Sequence, residues 1–541
     1  MERAADEARW SRVWAWLLVL AGLVLLAGAP LPHIDGDAAL YGRIAKNVVA
    51  SGEWLTLRAT PGWVVDKPPL TIWLIAASLR VAGNSDATLR VWQLAMTLGL
   101  AAVTYRLARL HAGREEALLA ALVLLTAVQV WYQSLTPQQD VPLTFFLALA
   151  FLAYLDYRRG GRARSLAAAG LWLALAVLTK GIVALVIFAL VAGAEWGLAR
   201  RRREVGRWSW GAVAVGLMVL VAVAAPWFVV GLLRQGRPFA DAFFLGGNLG
   251  PGRFFSPRIS ALPPLWQVPL AYLPVLLVGF LPWTGLLPAA LREGWRALGG
   301  GPPSVRLCML WASGVFVMLS LSATDRVFRY LHPIYPPLAV LAAHAVVPAL
   351  AQRRGLRGAA WVSVLVAVPA LAATAAWMAG RFPGEATLYL PIVAPFGLAM
   401  AGVLATAAVL ALAGQPRPAV AALAAGALVA WGIAERGLAV HWPRLWPWRE
   451  VGAAIVRLHR PGDRIVVFRG GALNFPEYVL EADVEHVQDA ATLGRLWTTG
   501  VAIVLLRASD LHALPARPAP QRILATPTGW IVVANTRAQR N

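Results

Sequence analysis

The chain has 541 residues, of which 59% are hydrophobic and only 14% charged. A soluble protein of this length carries roughly a quarter charged residues, so that class is excluded. The net charge of +22 would suggest nucleic acid in a soluble chain. Here the arginines sit in short loops between apolar runs, so the expected partner is the lipid bilayer and no nucleic acid is expected.

Apolar runs of about 20 residues recur along most of the chain, each long enough to cross a bilayer as a helix. Backbone groups in lipid must be satisfied within the span, so the fold class is a polytopic α-helical membrane protein. The first run, from Trp14 to Leu31, looks like a signal peptide. It is long and lacks a small-residue cleavage site, so it reads as a retained anchor. About 13 transmembrane helices are expected, near 12–31, 88–107, 117–134, 140–156, 165–179, 181–198, 209–231, 265–290, 306–322, 332–350, 357–379, 389–412 and 418–438. The tightest break is Thr179, Lys180, Gly181. The single cysteine, Cys308, lies inside an apolar run and reads as a buried, inert thiol.

Loops after the second, fourth, sixth and tenth spans read "RLARLHAGREE", "YRRGGRAR", "RRRREVGR" and "QRRGLR". The loop after the eighth carries Arg292, Arg296 and Arg306. All follow even-numbered spans, so the positive-inside rule puts them, and the N-terminus, in the cytoplasm. Outward loops are then 32–87 and 232–264, within a transmembrane domain of residues 1–440. Residues 441–541 change character, with short strand-like runs "DRIVVF", "VAIVLLR" and "WIVVAN" and the helix-like "WREVGAAIVRLHR". They are expected to form a small extracytoplasmic α/β domain.

The unusual chemistry faces outward. Loop 32–87 offers Asp35, Asp37 and Tyr41, then Asp66, Lys67, Pro68 and Pro69 in "WVVDKPPL". Asp140 opens the fourth span. Asn248, Arg253 and Arg258 lie in loop 232–264, and Asp325, Arg326, Arg329, Tyr330 and His332 precede the tenth span. Several cations at that depth suit a lipid phosphate, which takes multiple charge-assisted donors. A carboxylate among them suits a general base. Plainer readings stay open. Asp35 and Asp37 fit loop acids or helix N-caps. Lys67 fits an interfacial anchor beside Trp63 and Trp73, and "KPPL" a helix start. Asp325 fits a simple ion pair with Arg326 or Arg329, and Asp140 a helix cap. His332 reads best as a packed histidine, and Lys180 in "LTKG" as a helix end.

On these residues the chain resembles bacterial GT-C glycosyltransferases of the lipid A aminoarabinose transferase and protein O-mannosyltransferase (dolichyl-phosphate-mannose-protein mannosyltransferase-like) type. Asp37 and Tyr41 match an acidic-x-x-x-Tyr arrangement. Asp66, Lys67, Pro68 and Pro69 match an acidic-Lys-Pro-Pro motif, and Asp140 the acid that opens the fourth span. "LTKG", "APWF", "YLPVLLVGFLPWT" and "RYLHPIYPPLAVL" look like family segments. The resemblance implies a multi-pass enzyme of the bacterial cytoplasmic membrane. It would transfer a sugar, with inversion, from a polyprenyl phosphate to a glycolipid, glycan or protein acceptor on the outer face. It implies Asp37 as catalytic base, Lys67 with Arg253 or Arg258 on the donor phosphate, and Tyr41 and Tyr330 lining the cavity. Arg326 and Arg329 join the donor-binding set, with Asp35, Asp66 and Asp140 as supporting acids.

Two departures stand out. Relatives often carry an acidic-His pair before the Asn-Leu of the long loop, where this chain has Gly246 and Gly247. No cofactor follows from the sequence, and a divalent metal is an open alternative weakened by those glycines. Leu40 precedes Tyr41, where aminoarabinose transferases can carry arginine, so the donor sugar is left open. The competing function is a lipid or sugar transporter or flippase. Transporters place ionisable groups near the bilayer midplane between repeated halves, whereas these groups cluster at span ends and no repeat is visible.

Overall fold

The computed structural model describes residues 2–32, 36–58, 67–204, 209–245, 267–321, 328–352, 386–445, 447–460, 463–470, 484–499, 503–516 and 520–535, with four isolated positions between 358 and 376. Asp35, Asp66, Arg253, Arg258 and Arg326 lie outside them, as do Asp325, Asn248 and nearly all of the span expected at 357–379.

The helices are α1 (Glu2–Ala27), α2 (Gly36–Ser51), α3 (Leu70–Ala82), α4 (Asp86–Arg109), α5 (Arg114–Leu125), α6 (Val128–Ser134), α7 (Asp140–Gly160), α8 (Ala163–Lys180), α9 (Val183–Arg201) and α10 (Trp210–Gln235). There follow α11 (Gln267–Gly279), α12 (Leu287–Leu298), α13 (Pro303–Leu321), α14 (Tyr335–Gln352), α15 (Ala386–Leu412) and α16 (Pro416–Leu445). Among the described residues, nine helices are long and apolar enough to cross a membrane, or eleven if each of two bent pairs counts as one span.

The two bent pairs correct the simple reading of continuous apolar runs as straight spans. α5 and α6 meet at 62°, and Tyr272–Gly279 meets Trp283–Leu298 at 109°. Proline disfavours helical backbone at the residue before it and cannot supply an N–H, so Pro282 interrupts the second pair. Each break leaves backbone groups that lipid cannot satisfy. The two breaks satisfy one another: Val128 N–H donates to Leu281 C=O at 3.0 Å, and Trp283 Nε1–H to Thr126 Oγ1 at 3.0 Å.

Elsewhere the spans pack by close approach. A Cβ on Gly170 of α8 would lie 2.1 Å from the Gly216 carbonyl oxygen of α10, so only glycine permits this contact. At one end of the bundle a buried ion cluster ties α7, α9 and α13. Arg158 and Arg306 both pair with Glu195, the latter at 2.8 Å, and Tyr154 Oη donates to Glu195 Oε2 at 2.7 Å. Arg306 also reaches Glu204, at 3.1 Å. Leu110, Arg159, Glu204, Gly301 and Ser304 border one small cavity, so the arginine-rich ends of α4, α7, α9 and α12 lie together. Cys308 is fully buried.

Toward the C-terminus, α17 (Trp448–Leu458) and α18 (Ala490–Thr499) accompany strands β1 (Ile465–Phe468), β2 (Glu485–Val487), β3 (Ile503–Arg507), β4 (Pro520–Ala525) and β5 (Trp530–Asn535). The sheet order is β2-β1-β3-β5-β4. β1 runs parallel to β2 and β3, and β5 antiparallel to β3 and β4. β1 and β5 are buried at every residue, because both faces of the sheet are covered. Val466, Phe468, Val504 and Leu506 pack under Leu493 and Trp497 of α18. Ile465, Val467, Leu505 and Val532 belong to the core that includes Trp448 and Ile455 of α17.

Candidate functional site

α2 starts at Gly36, and its 3.6-residue period puts Asp37 and Tyr41 one turn apart on the same face. Both line a cavity of about 940 Å³. Lys67 and Pro68, just before α3, line it too. Asp140 and Gln139 enter from the start of α7, Lys180 from the last residue of α8, and Arg329 and Tyr330 from the short 3₁₀ segment Phe328–Ile334. Residues far apart in sequence therefore converge because helix termini meet at one end of the bundle.

Below these polar groups the same cavity continues as an apolar groove between α9 and α13. Val183, Val186, Leu190 and Val191 face Leu310, Gly314, Val317 and Met318. The α9 stretch from Ile182 to Ala194 gives the groove a depth of about 18 Å at 1.5 Å per residue.

Arg329 is the hub of the polar end. Its guanidinium pairs with Asp37, and its Nε lies 3.6 Å from Asp140 Oδ2. Asp140 is almost fully buried and also pairs with Lys180. The Lys180 ammonium sits 4.2 Å from the Tyr330 ring centroid, a cation–π contact. Buried carboxylates require such partners.

Several supports hold these groups in place. Gln133 Nε2 donates to the Arg329 carbonyl at 3.1 Å, and Gln93 Nε2 donates to the carbonyls of Gln133 and Thr136 at 2.9 Å. His332 Nδ1 lies 2.8 Å from Thr144 Oγ1, one turn after Asp140. The fully buried Arg90 side chain donates to the carbonyls of Ala29 at 2.9 Å, Leu31 at 2.6 Å and Leu135 at 2.6 Å. It thus fastens the chain that leads into Asp37 and the turn that leads toward Asp140. Trp73 Nε1 donates to the Trp54 carbonyl at 2.6 Å and Trp227 Nε1 to that of Leu55 at 3.2 Å, which pins the loop after α2. In that loop the backbone N–H of Leu55, then that of Thr56 and the Arg234 guanidinium, hold the Glu53 carboxyl below the usual carboxylate range against the opposing effect of burial.

Asp37, Tyr41, Lys67, Asp140, Arg329 and Tyr330 thus share one cavity. Lys180 does end a helix, as its Gly181 neighbour suggests, yet it also supplies a cavity cation that sequence reasoning missed. The available signal was a lysine in an otherwise apolar stretch, a costly placement without a partner. His332 is packed and fully buried, outside the cavity lining.

The Asp140–Lys180 pair makes a measurable expectation. Asp140→Asn and Lys180→Gln each remove one charge of the pair, while Arg329 stays beside Asp140 and Tyr330 against Lys180. The double variant should therefore lose less stability than the two single losses combined, with a coupling of about 0.5–3 kcal/mol. Thermal unfolding in detergent measures it, and strict additivity would mean that the pair does not interact.

The profile of the dolichyl-phosphate-mannose-protein mannosyltransferase family matches residues 66–227. The chain is 31% identical over 378 residues to the undecaprenyl phosphate-alpha-4-amino-4-deoxy-L-arabinose arabinosyl transferase of Pseudomonas paraeruginosa, covering 67% of this chain and 65% of that one. It is 28% identical over 340 residues to the protein of the same name from Edwardsiella ictaluri, covering 61% and 59%. The matches therefore span about three-fifths of the length of these curated relatives. In fold, the chain resembles ArnT from Cupriavidus metallidurans crystallised with undecaprenyl phosphate, with a TM-score of 0.77, 21% identity and coverage of 97% and 98%. A more distant likeness, at a TM-score of 0.50 and 13% identity over 97% of this chain and 74% of the other, is to the oligosaccharyltransferase AglB of Archaeoglobus fulgidus. In sequence the chain thus resembles the aminoarabinose transferases, with residues 66–227 matching the mannosyltransferase family, and in fold it resembles ArnT.

Proposed function

We propose that this chain is an inverting glycosyltransferase that takes a sugar from a polyprenyl phosphate and passes it to a glycolipid such as lipid A, an envelope glycan or a protein. The observation that carries the reading is the single cavity that joins a cluster of acids and cations to a long apolar groove. A phosphate fits the polar end, where Lys67, Lys180 and Arg329 offer charge-assisted donors. An isoprenoid tail fits the groove between α9 and α13. The names of the relatives add undecaprenyl phosphate as the lipid and 4-amino-4-deoxy-L-arabinose as one candidate sugar.

In the proposed reaction the acceptor oxygen attacks the anomeric carbon from the face opposite the phosphate. The bond from that carbon to the phosphate oxygen breaks, and polyprenyl phosphate leaves with the electron pair. For a hydroxyl acceptor, the proton passes to Asp37. Arg329 now occupies the Asp37 carboxylate. A donor phosphate competes for that guanidinium, so donor binding would draw Arg329 away and free Asp37 to act as base. From the sequence, Arg253 or Arg258 and Arg326 would add further cations, with Asp35 and Asp66 as supporting acids.

The test is transfer of a radiolabelled sugar from purified polyprenyl-phosphate donors to lipid A or envelope acceptors by the reconstituted protein. Comparison of lipids and glycans from cells with and without the chain selects the donors to try. Protein that transfers no sugar from any of them, but moves the lipid between leaflets, would favour the flippase reading instead.

The proposal extends to sidedness. The arginine-rich loops would face the cytoplasm of a bacterium, with the cavity mouth and the 441–541 domain outside. A periplasm-dependent reporter fused after Asn541 is expected to be active. A cytoplasm-dependent reporter active at that position would reverse the assignment.

A further inference from the structure

At the end of the bundle remote from the polar head of the donor cavity, three side chains with metal-binding atoms meet. His111 lies in the turn between α4 and α5, Glu116 in the first turn of α5, and His344 midway along α14. His111 Nε2 is 2.8 Å from Glu116 Oε1, and His344 Nδ1 is 3.0 Å from the same oxygen. The three ligand atoms all lie within 4.8 Å of one another, and no other such group occurs among the described residues. The two imidazoles meet edge to face, with centroids 5.1 Å apart. α4 separates this turn from the Asp86 end near Arg90 by 24 residues, about 36 Å.

The cluster is largely enclosed: the His111 side chain is 4% exposed, that of Glu116 11% and that of His344 27%. A charge so removed from water is paired or coordinates a metal. Ligands held at about 2.0–2.1 Å around a tetrahedral ion stand about 3.3 Å apart. The two observed edges need open only slightly to admit one. A supporting partner is also in place. Ser304 Oγ, at the start of α13, lies 2.8 Å from His111 Nδ1. If that nitrogen donates its proton to Ser304, the lone pair of Nε2 faces the carboxylate, where a cation removes the repulsion between them. Such an outer hydrogen bond is the usual companion of a metal-bound histidine.

We propose that His111, Glu116 and His344 form a site for a divalent first-row transition ion, with zinc the best match to two imidazoles and one carboxylate. The ion would clamp the α4–α5 turn to α14 and, through Ser304, to α13. It would act on the bundle end opposite the sugar chemistry and take no part in the transfer.

The test uses full-length protein purified without a polyhistidine tag, stripped with chelator and titrated with Zn²⁺ by calorimetry. One equivalent is expected, with a rise in melting temperature. Co²⁺ in the parental protein should give the intense visible bands of a tetrahedral site. Glu116→Gln and His344→Ala should lose the equivalent, and Ser304→Ala should weaken it about 10–100-fold. Should His344→Ala not fold, the Co²⁺ spectrum and Ser304→Ala still decide. Parental protein that takes up no stoichiometric zinc overturns the proposal, as do Glu116→Gln and Ser304→Ala variants that bind as well as the parent. Those results would leave a hydrogen-bonded cluster without an ion.

Discussion

Asp37→Asn should lower turnover by about 100-fold or more with membrane insertion and donor affinity intact, the scale of a lost general base. Asparagine keeps the size of the side chain and an oxygen that can accept from Arg329, so the start of α2 has no reason to unfold. It lacks the basicity to take a proton from an acceptor hydroxyl. The Arg329 guanidinium, now paired with Asp37, would lose a competitor for the donor phosphate, so donor affinity should hold or tighten. Turnover and donor affinity would then separate, which a merely structural role would not produce. Asp35→Asn should cost less, because Asp37 is the acid that stands one helical turn from Tyr41. A phosphate acceptor, largely ionised at neutral pH, needs little deprotonation. In that case Asp37 would orient it or stabilise positive charge developing on the sugar. Single-turnover rates and donor binding measured on the same purified variant check the prediction. Transfer at the parental rate would move the reacting centre away from Asp37.

The parts of this site that were legible in the sequence are those set by local geometry. Asp37 and Tyr41 are four residues apart in a helix, so their common face followed from the helical period, and both line the cavity. The partnership of Asp140 with Lys180 was not legible. Forty residues and a helix reversal separate them, and Lys180 beside Gly181 carries every mark of a helix terminus, which it also is. Only packing of α7 against α8 turns that terminus into a cavity wall. Hydropathy likewise found the apolar runs but not their bends. The stretch around Phe280 to Trp283 stays apolar through its break, and apolarity carries no directional information. The proline at 282 was the available signal. What made the bend tolerable, the matching break between α5 and α6, lies about 150 residues earlier in the chain. The His111–Glu116–His344 cluster went unseen for the same reason. Two of its members are close in sequence, but the third arrives from α14.

Lys67→Ala should weaken donor binding by about 1.5–3 kcal/mol, the value of a charge-assisted hydrogen bond. Shortening the lipid tail by one isoprene should change it far less. The asymmetry follows from the solvent. A tail leaving the bilayer for the groove between α9 and α13 exchanges one apolar environment for another, so burial there brings little of the gain it would bring from water. The groove selects by shape, and affinity must come from the head group. Around that head group Arg329 and Lys180 are already engaged by Asp37 and Asp140, so part of their interaction with phosphate is spent on displacing those acids. Lys67 enters from the segment just before α3, which belongs to neither pair. Lys67→Arg should fail to restore the parent, because a planar guanidinium does not replace a compact ammonium. Equilibrium binding of donors with the same sugar and different tail lengths, in bilayer nanodiscs, separates the contributions. If Lys67→Ala bound donor as well as the parent while tail length dominated, Lys67 would be an interfacial anchor and the phosphate would rest on the arginines.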